Sequence, residues 1–348
     1  MNQSGSKAVF IIVTRNSKLF MPSVLESILN QTERDFQIAV IDNNSADGTA
    51  DFVRKNYPMV SVIENNKNIG FAKANNQGIR LFKSPYVILC NPDIVLTPDW
   101  LKTMLNVAEQ SDNRGYASFG GRLLKLKMVN LETGEMDKTE IVDSCGLKML
   151  KNHRFVELGA GENQDKWTND KQVFGHSGAL VMLRREALED VAIRDKFHAS
   201  GDYLDGSFFF YKEDVDLAWR LNMLGFKALL VAEATAYHLR TFSLGEDDKA
   251  SEVIKNRKKQ NYLAKYYSYR NHLLMLLENS FFSNLLIFSP QIFWLEFKKF
   301  CYVMFFEPKN LLAWIEIIKM LPEIKSKRRQ LMAQSKISAK DFKNWINN

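Results

Sequence analysis

Over the first hundred residues, short apolar runs of strand length alternate with longer stretches of helical periodicity. Residues 8–14 (AVFIIVT), 36–41 (FQIAVI), 60–64 and 86–90 (YVILC) are the short runs. Helical patterns occupy residues 19–31, 49–56, 71–83 and 98–110. A strand buried on both faces reads as a continuous apolar run. Its alternation with helices predicts βαβ units around a mostly parallel sheet. Ligands of such sheets collect at the carboxyl ends of the strands. Those ends are polar here: Thr14-Arg15-Asn16, Asp42-Asn43-Asn44-Ser45 and Asn91-Pro92-Asp93. Any one of these loops is equally well a set of turn formers; three at one sheet edge point to a binding site.

Further along, the pattern loosens. Residues 115–167 give few clear elements, with Gly120-Gly121 and residues 131–139 reading as hairpin or loop material. Regular structure resumes with a strand at 178–183, a helix near 184–191 and a polar insertion at 195–206. An aromatic run at 208–211 leads into a helix over 213–224, where Leu217, Leu221 and Leu224 share one face and Gly225 stops it. A strand at 227–231 then leads to Tyr237-His238. From about residue 249 strand signals fade, and the chain reads as consecutive helices rich in Phe, Trp, Tyr, Leu and Lys.

Composition narrows the classes. Apolar residues make up 46% and charged residues 25% of 348, the balance of a globular chain rather than a disordered one. The net charge of +7 favours an anionic partner: a nucleotide diphosphate, an acidic lipid surface or nucleic acid. No nucleic-acid recognition module accompanies that charge, so nucleic acid ranks last and no such partner is expected. Cys90, Cys145 and Cys301 are odd in number and lack metal-ligand spacing, which suits a reducing, cytoplasmic compartment. The polar N-terminus does not read as a secretory signal. The most apolar stretch, residues 280–295, is broken by Pro290 and falls short of the roughly 20 residues a spanning helix needs.

Four motifs in order carry a specific resemblance: VIDNNSADGT (40–49), NIGFAKANNQGI (68–79), CNPDI (90–94) and FFFYKEDVDLAWRLNMLGFK (208–227), with a weaker match in KYYSYRNHL (265–273). Together they resemble the family 2 inverting glycosyltransferases, in particular the rhamnosyltransferase branch. The resemblance implies an α/β fold of the GT-A (Rossmann-like) type with a mostly parallel central sheet. It implies a catalytic region over 1–248, with a donor-binding part to about 114 and an acceptor-binding part over 115–248. A helical region over 249–348 follows.

The resemblance also implies roles. Asp42 matches the acid that hydrogen-bonds a pyrimidine base, the alternative being an Asx turn. Thr14, Asn16 and Asn44 match loops beside that nucleotide, and Gly70 and Asn76 match positions of the second motif. Gly70 there lets the backbone come close to the nucleotide. For Gly70 and Asn76 a plain helix entry is the alternative. Asn91 and Asp93 occupy the place of the metal motif, with Asn91 where a carboxylate often stands. His238 matches the histidine that completes a Mg²⁺ or Mn²⁺ site with Asp93. Asp214 matches the base that takes a proton from the acceptor hydroxyl, and Glu213 a positioning residue; acids at a helix N-terminus are the alternative. His176, Asp205 and Tyr211 are expected in the acceptor pocket.

The implied substrates are L-rhamnose linked to dTDP, with a UDP-linked sugar as the alternative, and a cell-surface glycan or lipid-linked acceptor. The aromatic and basic tail, including Lys325, Lys327, Arg328 and Arg329, fits an anionic membrane at the inner face of the cell envelope; a helical subdomain packed on the rest or on a second copy is the alternative. Two other classes compete. A nucleotidyltransferase would carry a glycine-rich triphosphate loop after the first strand, which residues 14–22 (TRNSKLFMP) lack. A non-catalytic scaffold would have no use for Asp42, Asp93, Asp214 and His238.

Overall fold

In the computed structural model, which describes residues 5–130, 135–240 and 262–347, the run AVFIIVT forms β1 (Ala8–Thr14). Around it lie β2 (Phe36–Asp42), β3 (Ser61–Glu64) and β4 (Tyr86–Cys90), all parallel, in the order β3-β2-β1-β4. Side chains of a strand alternate between faces, and β1 divides accordingly. Val9, Ile11 and Val13 enter one core, and Ala8, Phe10 and Ile12 enter another. The second core is closed by α1 (Met21–Leu29), α2 (Thr49–Asn56) and α4 (Trp100–Ala108). The first is closed by α3 (Phe71–Leu81), α5 (Arg185–Val191), α6 (Glu213–Met223) and the C-terminal helices. Each fully buried Val, Ile or Phe contributes about 1.5–3 kcal/mol, so β1 anchors both layers.

The other half of the sheet is mixed rather than parallel. β11 (Leu180–Arg184) runs antiparallel to both β4 and β6 (Tyr116–Asn130). β12 (Lys227–His238) lies parallel to β6, with a register shift between Val231 and Thr235. The short β5 (Ile94–Leu96) pairs antiparallel with β12, setting His238 opposite Ile94. In the segment of weak periodicity, β7 (Glu135–Ser144) folds back along β6, and β8 (Leu147–Met149) pairs with β9 (Phe155–Glu157). β10 (Lys171–Val173) forms the outer edge beside β12. Of the hairpin or loop expected over 131–139, residue 135 onward is the strand β7, paired antiparallel with β6; residues 131–134 lie outside the described residues.

The tail forms α7 (Tyr262–Asn279), α8 (Phe282–Ile287), α9 (Ser289–Phe306) and α10 (Leu312–Gln334), followed by α11 (Ala339–Phe342) and α12 (Asn344–Asn347). Its core is continuous with that of the sheet: Leu274, Ile317 and Leu331 share a cluster with Leu89 and Trp219. Trp219 of α6 stacks on Phe342 at 5.3 Å.

Candidate active site

The polar loops predicted at the strand ends converge in space. Thr14 and Asp42 end neighbouring strands in register. The Thr14 hydroxyl oxygen is buried and has no hydrogen-bond partner among the described residues. Asp42 is buried and accepts from Ser45 through its backbone N–H (2.9 Å) and its hydroxyl (2.5 Å). Asn16, at φ 53°, takes the N–H of Ala46 on its side-chain oxygen (2.7 Å) and gives its own N–H to Ser45 (2.8 Å), joining the first two loops. Asn44 is exposed at φ 65°. Its neighbour Asn43, not singled out by the sequence, reaches Asn68 (2.9 Å) and the Gly70 carbonyl (3.2 Å) and fixes the third loop.

The second motif is held by close packing and buried hydrogen bonds. Gly70 sits at φ 86°, and a Cβ there would meet the Phe209 ring at 2.5 Å and its carbonyl oxygen at 2.7 Å. The positive φ and the aromatic run packed over it require glycine there. Asn76 is buried, donating to the Leu204 carbonyl (2.6 Å) and accepting from the N–H groups of Tyr203 (3.1 Å) and Leu204 (2.9 Å). Its side chain holds the backbone of the polar insertion and is spent there.

At the end of β4, Asn91 donates its N–H to the Ala179 carbonyl (2.8 Å). The preceding residue, Gly178, donates to Asp214 Oδ2 (2.9 Å). Asp214 therefore stands one dipeptide away from the Asn91-Pro92-Asp93 loop. Its other oxygen accepts the N–H of Val215 (2.7 Å).

Asp93 faces His238, with Nε2 3.4 Å from Oδ1, because the β5–β12 pairing brings them to one edge. On its other side His238 Nδ1 meets Asp143 Oδ2 at 2.9 Å. Burial disfavours the imidazolium, but both carboxylates favour it, and its pKa is raised to about 9. The pair presents an oxygen and a nitrogen ligand side by side. Asp143 orients the ring through its far nitrogen, as at many metal-binding histidines. With the Nε2 proton of His238 displaced by the ion, the two side chains would offer a divalent cation one oxygen and one nitrogen ligand.

Asp143, Arg240 and Glu157 were not foreseen. Asp143 is fully buried, and Arg240 donates to it; Arg240 also approaches Glu157 at 4.0 Å. Burial raises the Glu157 carboxyl while Arg240 opposes the shift. No periodic signal marked Asp143 or Glu157, since they lie on strands of the irregular middle segment.

Glu213 and Asp214 occupy different environments. Glu213 is buried, its Oε2 has no hydrogen-bond partner among the described residues, and burial followed by the Asp214 charge raises its pKa to about 8. Near neutral pH Glu213 holds its proton. Just before it, Phe209, Tyr211 and Lys212 adopt left-handed φ values of 64°, 69° and 74°, conformations that cost of order 1–3 kcal/mol each for side-chain-bearing residues. The weakly matching tail motif supplies the restraint. The Asn271 amide reaches the carbonyls of Phe208 (2.8 Å), Phe210 (2.9 Å) and Tyr211 (2.7 Å), and Arg270 donates to the Ser207 carbonyl. The Tyr211 ring is half-buried against Phe210 (4.7 Å).

Two residues expected in the acceptor pocket belong to the interior. His176 is buried with Nδ1 2.9 Å from Ser118 Oγ, its ring so close to Gly120 that a Cβ there would lie 2.2 Å away. Burial lowers its pKa to about 3, so it packs as a neutral ring. Asp205 is fully buried and bonded to Lys327 Nζ (2.6 Å) and Ser207 (2.5 Å). Lys327 is itself buried and also reaches Glu278 (3.3 Å) and Glu323 (2.8 Å), so it is not part of a basic surface. His198, Asp205 and Glu323 are spaced like metal ligands, but the Lys327 ammonium already sits on two of them.

The glycosyl transferase family 2 model matches residues 9–192. The chain is 23% identical to the N-acetylglucosaminyl-diphospho-decaprenol L-rhamnosyltransferase of Mycobacterium tuberculosis over 280 residues, 74% of this chain and 84% of that protein. It is 23% identical to the amylovoran biosynthesis glycosyltransferase AmsB of Erwinia amylovora over 253 residues, 70% of this chain and 73% of that one. Among solved structures it resembles GalNAc-T7 with UDP, GalNAc and Mn²⁺, at a TM-score of 0.52 and 14% identity. That match covers 87% of this chain and 58% of the other. S. aureus TarS matches with a TM-score of 0.52 and 14% identity, over 97% of this chain and 54% of that one.

Proposed function

Because the chain belongs to glycosyl transferase family 2 and has the GT-A fold, we propose that it moves a sugar, with inversion, from a nucleotide-diphosphate donor to a hydroxyl of a glycan or lipid-linked acceptor. One observation carries this reading. The Gly178-Ala179 dipeptide ties the Asp214 carboxylate to the Asn91-Pro92-Asp93 loop, where Asp93 faces His238.

Direct displacement at an anomeric carbon needs a base for the acceptor hydroxyl as the new bond forms. Asp214 takes that part. Both its oxygens accept backbone N–H bonds, which fixes its direction, while Glu213 keeps its proton and cannot receive another. Glu213 is then a donor to acceptor hydroxyls. Two carboxyl groups in contrasting surroundings divide two tasks. Asp42 and Thr14 end adjacent strands and receive the nucleoside, Asp42 by accepting from a pyrimidine N–H. Asp93 and His238 would hold Mg²⁺ or Mn²⁺, and the ion would offset the charge growing on the departing diphosphate.

For the sugar, L-rhamnose is supported by the Mycobacterium tuberculosis relative, whose name also supports a lipid-diphosphate-linked acceptor; dTDP as its carrier is what the family resemblance of the motifs implies. A UDP-sugar is the second reading, favoured by GalNAc-T7, which holds UDP. The test is nucleoside diphosphate release from a panel of nucleotide sugars, with a lipid-linked glycan present and with Mg²⁺, Mn²⁺ or EDTA. One donor is expected to turn over, EDTA to abolish release, and added Mn²⁺ or Mg²⁺ to restore it. Turnover undiminished by EDTA would remove the ion from the account.

A further inference from the structure

The helices α8 and α9 and the first part of α10 present apolar outer faces. Fifteen of the twenty-four exposed large apolar side chains among the described residues lie between residues 282 and 321. Phe282, Phe293, Phe305 and Phe306 are each about 70% exposed, at 69%, 69%, 72% and 71%. Of the eighteen residues of α9 only Ile292 and Val303 are buried, eleven apart on one inward stripe. Phe293, Phe297, Phe300 and Met304 repeat at helical spacing and face outward. A surface helix in water presents the opposite arrangement.

The charges complete the pattern. The acids of residues 282–321 are Glu296, Glu307 and Glu316; each meets a side chain of α7, and Glu296 is also paired with Lys299 of its own helix (2.8 Å). Glu296 meets His272 (2.9 Å), Glu307 meets Lys265 (3.8 Å) and Glu316 meets Arg270. Lys298, Lys309 and Lys319 remain exposed, and Lys298 lies over the Trp294 ring at 4.7 Å. Beside them a groove of about 390 Å³ is lined by Trp294, Leu295, Leu150, Lys151 and Lys298, together with Asn152 and Gln291. Its walls are apolar and its rim is basic. The exposed face therefore carries aromatic rings and positive charge, with its acids bonded toward α7.

A soluble protein rarely leaves so many large apolar groups in water unless something covers them. No helix among the described residues is long and apolar enough to cross a bilayer. We propose that the outer face of α8, α9 and α10 lies in the headgroup region of an anionic lipid bilayer, the aromatic rings entering the acyl boundary and Lys298, Lys309, Lys319 and Lys151 meeting lipid phosphates. Interfacial helices combine these two attractions. A second copy of the chain would bring the same lysines against each other, which the charge pattern disfavours. The docking stands apart from the transfer chemistry and is read without donor or acceptor.

The test is co-sedimentation of the full chain with phosphatidylcholine vesicles and with phosphatidylcholine–phosphatidylglycerol vesicles. Binding to the mixed vesicles is expected to be at least tenfold tighter than to the neutral ones. Phe293→Ser combined with Phe297→Ser and Phe305→Ser should lower it at least tenfold on both. Lys298→Glu with Lys309→Glu and Lys319→Glu should lower it only on the anionic vesicles. These positions are exposed, and unchanged thermal melting of each variant checks that the fold survives. Failure of the wild type to bind either vesicle overturns the proposal. So does a stable dimer by light scattering that the phenylalanine variant dissociates, because the second copy would then cover the face.

Discussion

Asp214→Asn is expected to lower kcat for sugar transfer by about 10²–10⁴-fold, the range for removing a positioned general base, while donor binding stays nearly unchanged. Asparagine retains one oxygen for the Gly178 N–H, so the backbone link to the Asn91 loop is kept. It cannot take the acceptor's proton. Glu213→Gln is the control, and its effect should be smaller: the buried Glu213 carboxyl, its pKa raised to about 8, is already protonated at neutral pH. Glutamine preserves its size and a donor. Steady-state kinetics of both variants, with thermal melting to verify folding, decide between them. If Asp214→Asn stayed within tenfold of wild type and Glu213→Gln did not, the base would be Glu213.

The second large effect is on stability. Lys327→Met leaves Asp205 and Glu278, both in the interior, without their cation. Burial opposes the Asp205 charge, and Lys327 more than restores it, holding the carboxyl well below its ordinary range. Breaking a buried pair by removing one partner costs roughly 3–5 kcal/mol, measurable as a shift in the urea midpoint. Lys327 also joins α10 to Ser207, next to the aromatic run. Loosening there should reach Glu213 and Asp214 and lower kcat as well. A loss under about 1 kcal/mol would mean that apolar packing alone holds the tail in place.

The two buried acids and the lysine illustrate what the sequence leaves unread. Asp205 lies in a polar insertion and Lys327 sits in a basic run, so each passes for a surface residue. Their pairing spans 122 positions, and only the tertiary fold brings them together. His176 is similar: its packing against Gly120 depends on β6, a strand in the segment with the weakest periodicity. What was legible had local causes. Continuous apolar runs marked β1, β2 and β4, and the polar residues at their ends marked Thr14, Asp42 and Asp93. The amphipathic pattern after Glu213-Asp214 marked α6, and the strand leading to His238 was visible over its first five residues. Arg240 lies two residues beyond His238, yet its partner Asp143 is 97 positions away. The apolar outer face of the tail was illegible in another sense, because composition shows aromatics, acids and lysines without saying which of them face outward.

The central claim is a single displacement at the anomeric carbon with Asp214 as base. It is tested most directly by the anomeric configuration of the product, read by NMR coupling constants once a turned-over donor is known. The account predicts one product, with configuration opposite to that of the donor. A product that retained the donor's configuration would contradict it, since retention needs a second displacement or a front-face path that a lone base at Asp214 does not supply.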